Sequence, residues 1–181
     1  MAKLILVTGA ARSGKSEWAE QLAVDSGRSV IYIATAQENL DDREWQVRIE
    51  KHRLRRPQTW QTRSIPVNLK AAIVGATASD CLLIDSLGTW LANLLDQSET
   101  EWQETLEALL QSFDQTESLI IFVAEEAGWG VVPAYPIGRL FRDRLGNLVR
   151  EIGAIADTVY LVAGGHVLNL SQLGIPLKRS F

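Results

Sequence analysis

Residues 9–16 carry the clearest chemistry in this sequence. The segment matches the phosphate-binding pattern G-x-x-x-x-G-K-S/T at every fixed position. In that pattern, backbone N–H groups surround the phosphates of a nucleoside triphosphate, the lysine contacts the terminal phosphates, and the final hydroxyl binds Mg²⁺. We therefore predict a nucleotide site with Lys15 as a catalytic residue and Ser16 as a ligand of Mg²⁺, the alternative being a chance glycine-rich turn. The predicted contacts are Gly9, Ala10, Ala11, Arg12, Ser13, Gly14, Lys15 and Ser16.

A second candidate is His52, which lies in the densest positive cluster of the chain. Surrounding cations disfavour a further positive charge, so they favour the neutral, nucleophilic imidazole. From these residues alone, the segment either handles phosphate groups or is a solvated basic face or a weak nucleic-acid patch. The cations are Arg43, Arg48, Lys51, Arg53, Arg55 and Arg56.

Acidic residues follow two apolar segments. Asp85 comes directly after residues 81–84, where a phosphate-loop protein places its second Mg²⁺ element. Glu125 and Glu126 come after residues 119–124. We interpret Glu126 as a metal ligand through water or as a base, the alternative being a solvated acidic turn.

The elements that must position these residues alternate between two kinds. Short apolar segments, typical of buried strands, are separated by segments with helical periodicity, which predicts an α/β fold with a mostly parallel sheet flanked by helices. Ligands of such sheets bind at the carboxyl ends of the strands. Ala34, Thr35 and Ala36 leave one strand there and either contact the nucleotide or form a plain connection. The predicted strands are residues 4–8, 30–34, 81–84, 119–124 and 158–163.

Helices are predicted for the intervening segments, and residues 166–170 are a possible edge strand. Residues 58–64 are predicted to be a loop. One predicted helix begins directly after residue 16. The others cover residues 41–56, 66–76, 87–95, 99–113 and 135–156.

Length and composition indicate one soluble globular unit. The chain has 181 residues, 46% hydrophobic residues and a formal net charge of −4. We predict a single nucleotide-binding catalytic domain over residues 1–181, with no nucleic-acid partner. The single cysteine, Cys81, lies in an apolar run, which predicts a buried thiol in a reducing compartment. No signal-peptide core or membrane-spanning run is visible, so the expected location is the cytoplasm.

Taken together, the motifs resemble the bifunctional adenosylcobinamide kinase / adenosylcobinamide-phosphate guanylyltransferase family of cobalamin biosynthesis. The resemblance runs nearly from end to end. The phosphate loop is generic, whereas the histidine segment and the Glu-x-Gly-x-Gly-x-x-Pro loop together are specific. The matching segments are residues 9–16, 32–36, 48–53, 56–57, 85–95, 126–133 and 139–147.

The resemblance implies that His52 is guanylylated by GTP. It implies phosphorylation of the hydroxyl of adenosylcobinamide by ATP or GTP, followed by transfer of GMP to that phosphate, giving adenosylcobinamide-GDP and pyrophosphate. Arg53 and Arg56 are then expected to stabilise the leaving and accepting phosphates, and Asp85 to bind Mg²⁺ with Ser16. A RecA-like fold, a corrinoid substrate and a homotrimer are also implied.

Three positions depart from the family pattern. Ser64 stands where an acid is usual, which bears on guanine or ribose contacts. Glu125 replaces a usual Asn and Leu148 a usual Gln, which bears on the substrate pocket. Two other functions stay open: a small-metabolite kinase of the phosphate-loop class without a covalent histidine, and a nucleotide-binding switch without synthetic activity.

Overall fold

The computed structural model describes residues 1–37 and 56–177. Its strands form one sheet, and apolar, partly β-branched sequences account for the central ones. The strands are β1 (Lys3–Gly9), β2 (Ser29–Ala34), β3 (Gln61–Ser64), β4 (Asp80–Asp85), β5 (Leu119–Glu125), β6 (Thr158–Ala163) and β7 (His166–Asn169).

Helices connect most of these strands. Four of them begin at a side-chain cap, in which Asn68, Ser86, Ser98 or Asn169 accepts a hydrogen bond from a backbone N–H of the first turn. A 3₁₀ turn over Phe113–Gln115 follows the fourth helix. The α-helices are α1 (Lys15–Asp25), α2 (Leu69–Val74), α3 (Leu87–Ala92), α4 (Glu99–Ser112), α5 (Pro136–Ile155) and α6 (Leu170–Leu173). No helix in the described ranges is long and apolar enough to span a membrane.

The strand order is β3-β2-β4-β5-β1-β6-β7, and every neighbouring pair is parallel except β6 with β7. Strand β5 therefore lies between β1, which leads into the phosphate loop, and β4, which ends at Asp85. The register places Glu125 opposite Gly9 and Asp85 opposite Ala34. All these strand ends meet at one edge of the sheet, where the candidate site residues gather.

Both faces of the sheet are covered. Alternate side chains of the central strands point to opposite faces, as the strand period requires. One face packs Ile5 and Val7 of β1 against α1. The other face packs Leu4 and Leu6 of β1 against α2, α3, α4 and α5. The near-continuous apolar strands thus reflect burial on two sides.

The predicted α/β class with a mostly parallel sheet is confirmed. Residues 166–169 do form an edge strand, β7, whereas the predicted loop over residues 58–64 is wrong in its second half. There, β3 pairs with β2 at the opposite edge, and all four of its side chains are exposed. Since neither face of β3 is buried, its sequence has no apolar alternation to indicate a strand. The predicted helix over residues 41–56 lies outside the described residues except for Arg56.

Candidate active site

The phosphate loop connects β1 to α1 in a tight turn. A side chain at Gly9 would place its Cβ 2.5 Å from the carbonyl oxygen of Val162, so only glycine fits there. Gly14 adopts a left-handed conformation, with φ of 94°, immediately before α1. The loop therefore leads directly into the amino terminus of α1. Unpaired backbone N–H groups at a helix amino terminus favour the binding of anions.

Two side chains of the loop are largely withdrawn from solvent. Lys15 is 9% exposed, and its Nζ donates a hydrogen bond of 3.2 Å to the carbonyl oxygen of Ala10. The Ser13 hydroxyl is buried and has no hydrogen-bond partner among the described residues. A buried donor without a partner is costly. A loop with a buried cation and an unused hydroxyl fits a phosphate, which accepts hydrogen bonds.

Glu126 is attached to the base of this loop at two points. Its backbone N–H donates to the carbonyl oxygen of Gly9 at 3.0 Å. The Thr8 hydroxyl donates to Glu126 Oε1 at 2.7 Å. Both contacts arise because β5 is the direct neighbour of β1. The structure thus brings Glu126 to the phosphate loop, while sequence reasoning gave no sign that Thr8 holds it.

Glu125 points instead toward helix α3. Its Oε1 accepts a hydrogen bond of 2.5 Å from the Ser86 hydroxyl, and its Oε2 accepts one of 3.0 Å from the backbone N–H of Gly88. A Cβ at Gly88 would lie 2.2 Å from that Oε2, so the glycine makes room for the carboxylate. Glu125 therefore supplements the cap of α3, a contact between distant segments that the sequence did not reveal.

Asp85 lies at the end of β4 in a cluster with Tyr32 and Arg56. The Tyr32 hydroxyl donates to Asp85 Oδ2 at 3.1 Å, and the Arg56 guanidinium lies 3.6 Å from the centroid of the Tyr32 ring. Burial raises the pKa of Tyr32 well above its usual value, and the Asp85 carboxylate raises this pKa further. The phenol therefore stays a proton donor to Asp85, and the cluster brings Arg56 to the active edge of the sheet.

The segment after β2 is fixed by hydrogen bonds to the end of β4. The Thr35 hydroxyl donates to the Ser86 carbonyl oxygen at 2.8 Å and accepts from the Ser86 N–H at 2.9 Å. Asn93 Nδ2 donates to the carbonyl oxygen of Thr35 at 2.8 Å. The Thr35 side chain is fully buried and joins the end of β2 to the end of β4. Ala34 and Ala36 are half-buried. Nucleotide contacts from these three residues stay predictions.

A cavity of about 220 Å³ opens beside Glu126 between the loop after β5 and helix α5. Arg142 crosses this region and donates from Nη2 to the carbonyl oxygen of Gly128 at 2.9 Å. Leu148 does not line the cavity but is fully buried in the core, so its departure from the family pattern concerns packing. The lining residues are Glu125, Glu126, Ala127, Gly128, Arg142, Leu145, Gly146, Val149 and Arg150.

His52 and Arg53 lie outside the described residues. Within residues 1–37 and 56–177, no group of three His, Cys, Asp or Glu side chains is arranged to hold a metal ion by itself. Ser16 and Asp85, one hydroxyl and one carboxylate, match the sparse protein ligation of Mg²⁺ in nucleotide sites, where phosphates supply other ligands.

Comparisons with known proteins agree with this arrangement. Residues 5–170 match the family model for cobinamide kinase / cobinamide phosphate guanyltransferase. The bifunctional adenosylcobalamin biosynthesis protein CobP of Pseudomonas aeruginosa is 41% identical over 177 residues, covering 96% of each chain. The corresponding protein CobU of Escherichia coli is 37% identical, covering 90% of this chain and 96% of its own.

Solved structures are similar at the level of the fold. An ATPase of the type III secretion system of pathogenic bacteria is superposed with a TM-score of 0.56 at 12% identity, covering 94% of this chain and 53% of that chain. A protein from Pyrococcus horikoshii gives a TM-score of 0.57 at 8% identity, covering 93% and 85%. With the strand order, these likenesses confirm the predicted α/β fold, a mostly parallel sheet flanked by helices.

Proposed function

We propose, for a chain that belongs to the cobinamide kinase / cobinamide phosphate guanyltransferase family, that one nucleotide site serves two successive transfers. The protein is a bifunctional enzyme of adenosylcobalamin biosynthesis: it phosphorylates adenosylcobinamide and then transfers GMP from GTP to the phosphate, giving adenosylcobinamide-GDP and pyrophosphate. The observation that carries this function is the family match over residues 5–170, which contains both the phosphate loop and His52.

The GMP is carried by His52 in this proposal. The imidazole attacks the α-phosphorus of GTP, pyrophosphate leaves, and a phosphoramidate bond to GMP forms. The phosphate of adenosylcobinamide phosphate then attacks the same phosphorus and frees the histidine. Arg53 and Arg56 stabilise the phosphates that leave and enter. Support comes from the basic sequence around His52 and from the guanidinium of Arg56, which lies over the ring of Tyr32, the residue that donates a hydrogen bond to Asp85.

Binding of the triphosphate falls to the phosphate loop in both transfers. Lys15 contacts the terminal phosphates from its buried position in the loop. Ser16 and Asp85 hold Mg²⁺, and Tyr32 fixes one oxygen of Asp85 in place. When bound, the metal neutralises charge that accumulates on the phosphate oxygens.

A homotrimer is the proposed assembly, and the support is exposed apolar surface. Trp129 and Val131 in the loop before α5 are 67% and 95% exposed, and Ile175 near the end of the described chain is 95% exposed. Exposed apolar side chains close together in the chain, such as Trp129 and Val131, are typical of association surfaces. Light scattering should give a mass near three times the 20.1 kDa chain mass, and a monomeric mass would contradict the proposal.

A corrinoid is the proposed small-molecule partner, the cytoplasm is the proposed location, and no nucleic acid takes part. The net charge of −4 disfavours binding to nucleic acid. Cys81 is free and fully buried, and burial raises the pKa of its thiol to about 11. An inert, reduced thiol fits a reducing compartment.

An assay of the wild-type protein with adenosylcobinamide and either ATP or GTP tests this function. We expect adenosylcobinamide phosphate from the first step, adenosylcobinamide-GDP and pyrophosphate only with GTP, and loss of both products when Mg²⁺ is chelated. Phosphorylation without any GMP transfer would favour the small-metabolite kinase, and nucleotide trapping without either product would favour the switch.

A further inference from the structure

We infer that Glu126 is the general base of the kinase reaction and that the cavity beside it receives the hydroxyl-bearing arm of adenosylcobinamide. The inference rests on the proposed function, because it assigns a role within one of the two transfers. Three carboxylates, Asp85, Glu125 and Glu126, lie at the active edge of the sheet, and their hydrogen bonds differ.

Two of these carboxylates are already engaged. Both oxygens of Glu125 accept hydrogen bonds from Ser86 and Gly88, which directs this side chain into the cap of α3. Asp85 accepts the hydroxyl of Tyr32 and lies on β4, separated from the phosphate-loop strand by β5. Glu125 is therefore unavailable as a base, and Asp85 is committed to Mg²⁺ in the proposed function.

Glu126 has neither commitment, and it directly follows strand β5, which pairs with β1. Thr8 donates to Oε1 only, and Oε2 receives no hydrogen bond from the described part of the chain. The backbone contact with Gly9 places the residue beside the first residue of the phosphate loop. A base must lie within reach of the attacking hydroxyl, and in this class of site that hydroxyl approaches the terminal phosphate held by the loop.

The cavity supplies the matching substrate site. At about 220 Å³ it holds a short hydroxyalkyl arm but not a corrin macrocycle, which must stay outside. Glu126, Arg142 and Arg150 are all among the residues that line it. The carboxylate can take the proton of the substrate hydroxyl. The guanidinium groups can bind the phosphate that the arm carries after the transfer.

The oxygen of the substrate hydroxyl forms a bond to the γ-phosphorus, and the bond from that phosphorus to the β–γ bridging oxygen breaks, releasing a nucleoside diphosphate. The hydroxyl proton passes to Glu126 Oε2. In the GMP transfer, the attacking group is an ionised phosphate of adenosylcobinamide phosphate, which has no proton to lose. Only the kinase step needs the base.

Glu126→Gln tests this difference because the amide oxygen still accepts the Thr8 hydrogen bond. Kinase turnover should fall by about 100-fold or more, the usual contribution of a general base. GMP transfer to supplied adenosylcobinamide phosphate should fall by less than about tenfold.

Two further variants control the experiment. Glu117 has an exposed side chain and precedes the first residue of β5, at the end of that strand away from the site. Glu117→Gln removes the same charge there and should leave both activities unchanged. Glu126→Asp keeps a carboxylate on a shorter arm and should recover part of the kinase activity that the glutamine variant loses. Circular dichroism and thermal unfolding establish that each variant is folded.

A parallel loss of both activities in Glu126→Gln would overturn the inference, because a metal ligand or a support of the loop serves both transfers. An unchanged kinase rate would overturn it as well. If the wild-type enzyme forms no adenosylcobinamide phosphate but guanylylates supplied adenosylcobinamide phosphate, the kinase part of the proposed function fails first, and the base assignment fails with it.

Discussion

Incubation of His52→Ala with Mg²⁺ and GTP labelled at the α-phosphate should leave no label on the protein, whereas the wild type should retain it. The alanine removes the nucleophile that forms the bond to GMP, so the GMP transfer should fall below detection. The wild-type label should be lost in acid and survive in base, as expected for a phosphoramidate. Label at the γ-phosphate should not stay on this residue.

Phosphorylation of adenosylcobinamide should persist at least in part in His52→Ala, because γ-phosphoryl transfer does not pass through the imidazole. Nucleotide affinity at the phosphate loop provides the matched control and should remain close to that of the wild type. Formation of adenosylcobinamide-GDP by His52→Ala would disprove the covalent assignment. A wild type that never takes up α-label but transfers the γ-phosphoryl group would identify a kinase without the histidine intermediate.

The fold class and the phosphate loop were predictable because their signals are local. Residues 9–16 form a contiguous pattern, and both conformational glycines, Gly9 and Gly14, belong to it. Strands β1, β4 and β5 are buried on both faces, so each is an apolar run that sequence reasoning detects. Strand β3 escaped detection because it lies at the edge with exposed side chains.

Contacts between distant segments were not predictable in the same way. Glu125 and Glu126 are adjacent acids in the sequence, yet one caps α3 while the other joins the phosphate loop. That division depends on strand register and on the space left by Gly88, 37 residues away from Glu125. The Tyr32–Asp85 hydrogen bond likewise depends on the pairing of β2 with β4. A single sequence carries no local sign of either contact.

Leu148 departs from the family pattern at a position that we expected to bear on the substrate pocket. The residue is fully buried between α5 and the sheet, and the cavity beside Glu126 is lined by its neighbours Leu145 and Val149 instead. Leu145 belongs to the core and also borders the cavity, whereas Leu148, about one helical turn further on, is enclosed by the core alone. An apolar side chain there contributes to packing, which explains how the chain accommodates the change from a polar residue.

Lys15→Ala should abolish both transfers. The variant loses the cation that neutralises the terminal phosphates in the ground state and during transfer, and no other residue of the loop except Arg12 carries a charge. We expect nucleotide affinity to fall at least about 100-fold, which corresponds to about 2.8 kcal/mol. Titration of the protein with each nucleotide measures the affinity, and the two product assays measure the transfers.

The free protein should remain folded, because within residues 1–37 and 56–177 Lys15 makes one hydrogen bond, to the carbonyl oxygen of Ala10, and its loss costs about 1 kcal/mol. A ligand that binds only the native state raises the unfolding temperature, so GTP should stabilise the wild type but not Lys15→Ala. Lys15→Met is the matched control, since it keeps an unbranched side chain of similar length without the charge. It should behave as the alanine variant does. Retention of nucleotide affinity and both activities in either variant would show that the triphosphate binds elsewhere than the loop at residues 9–16.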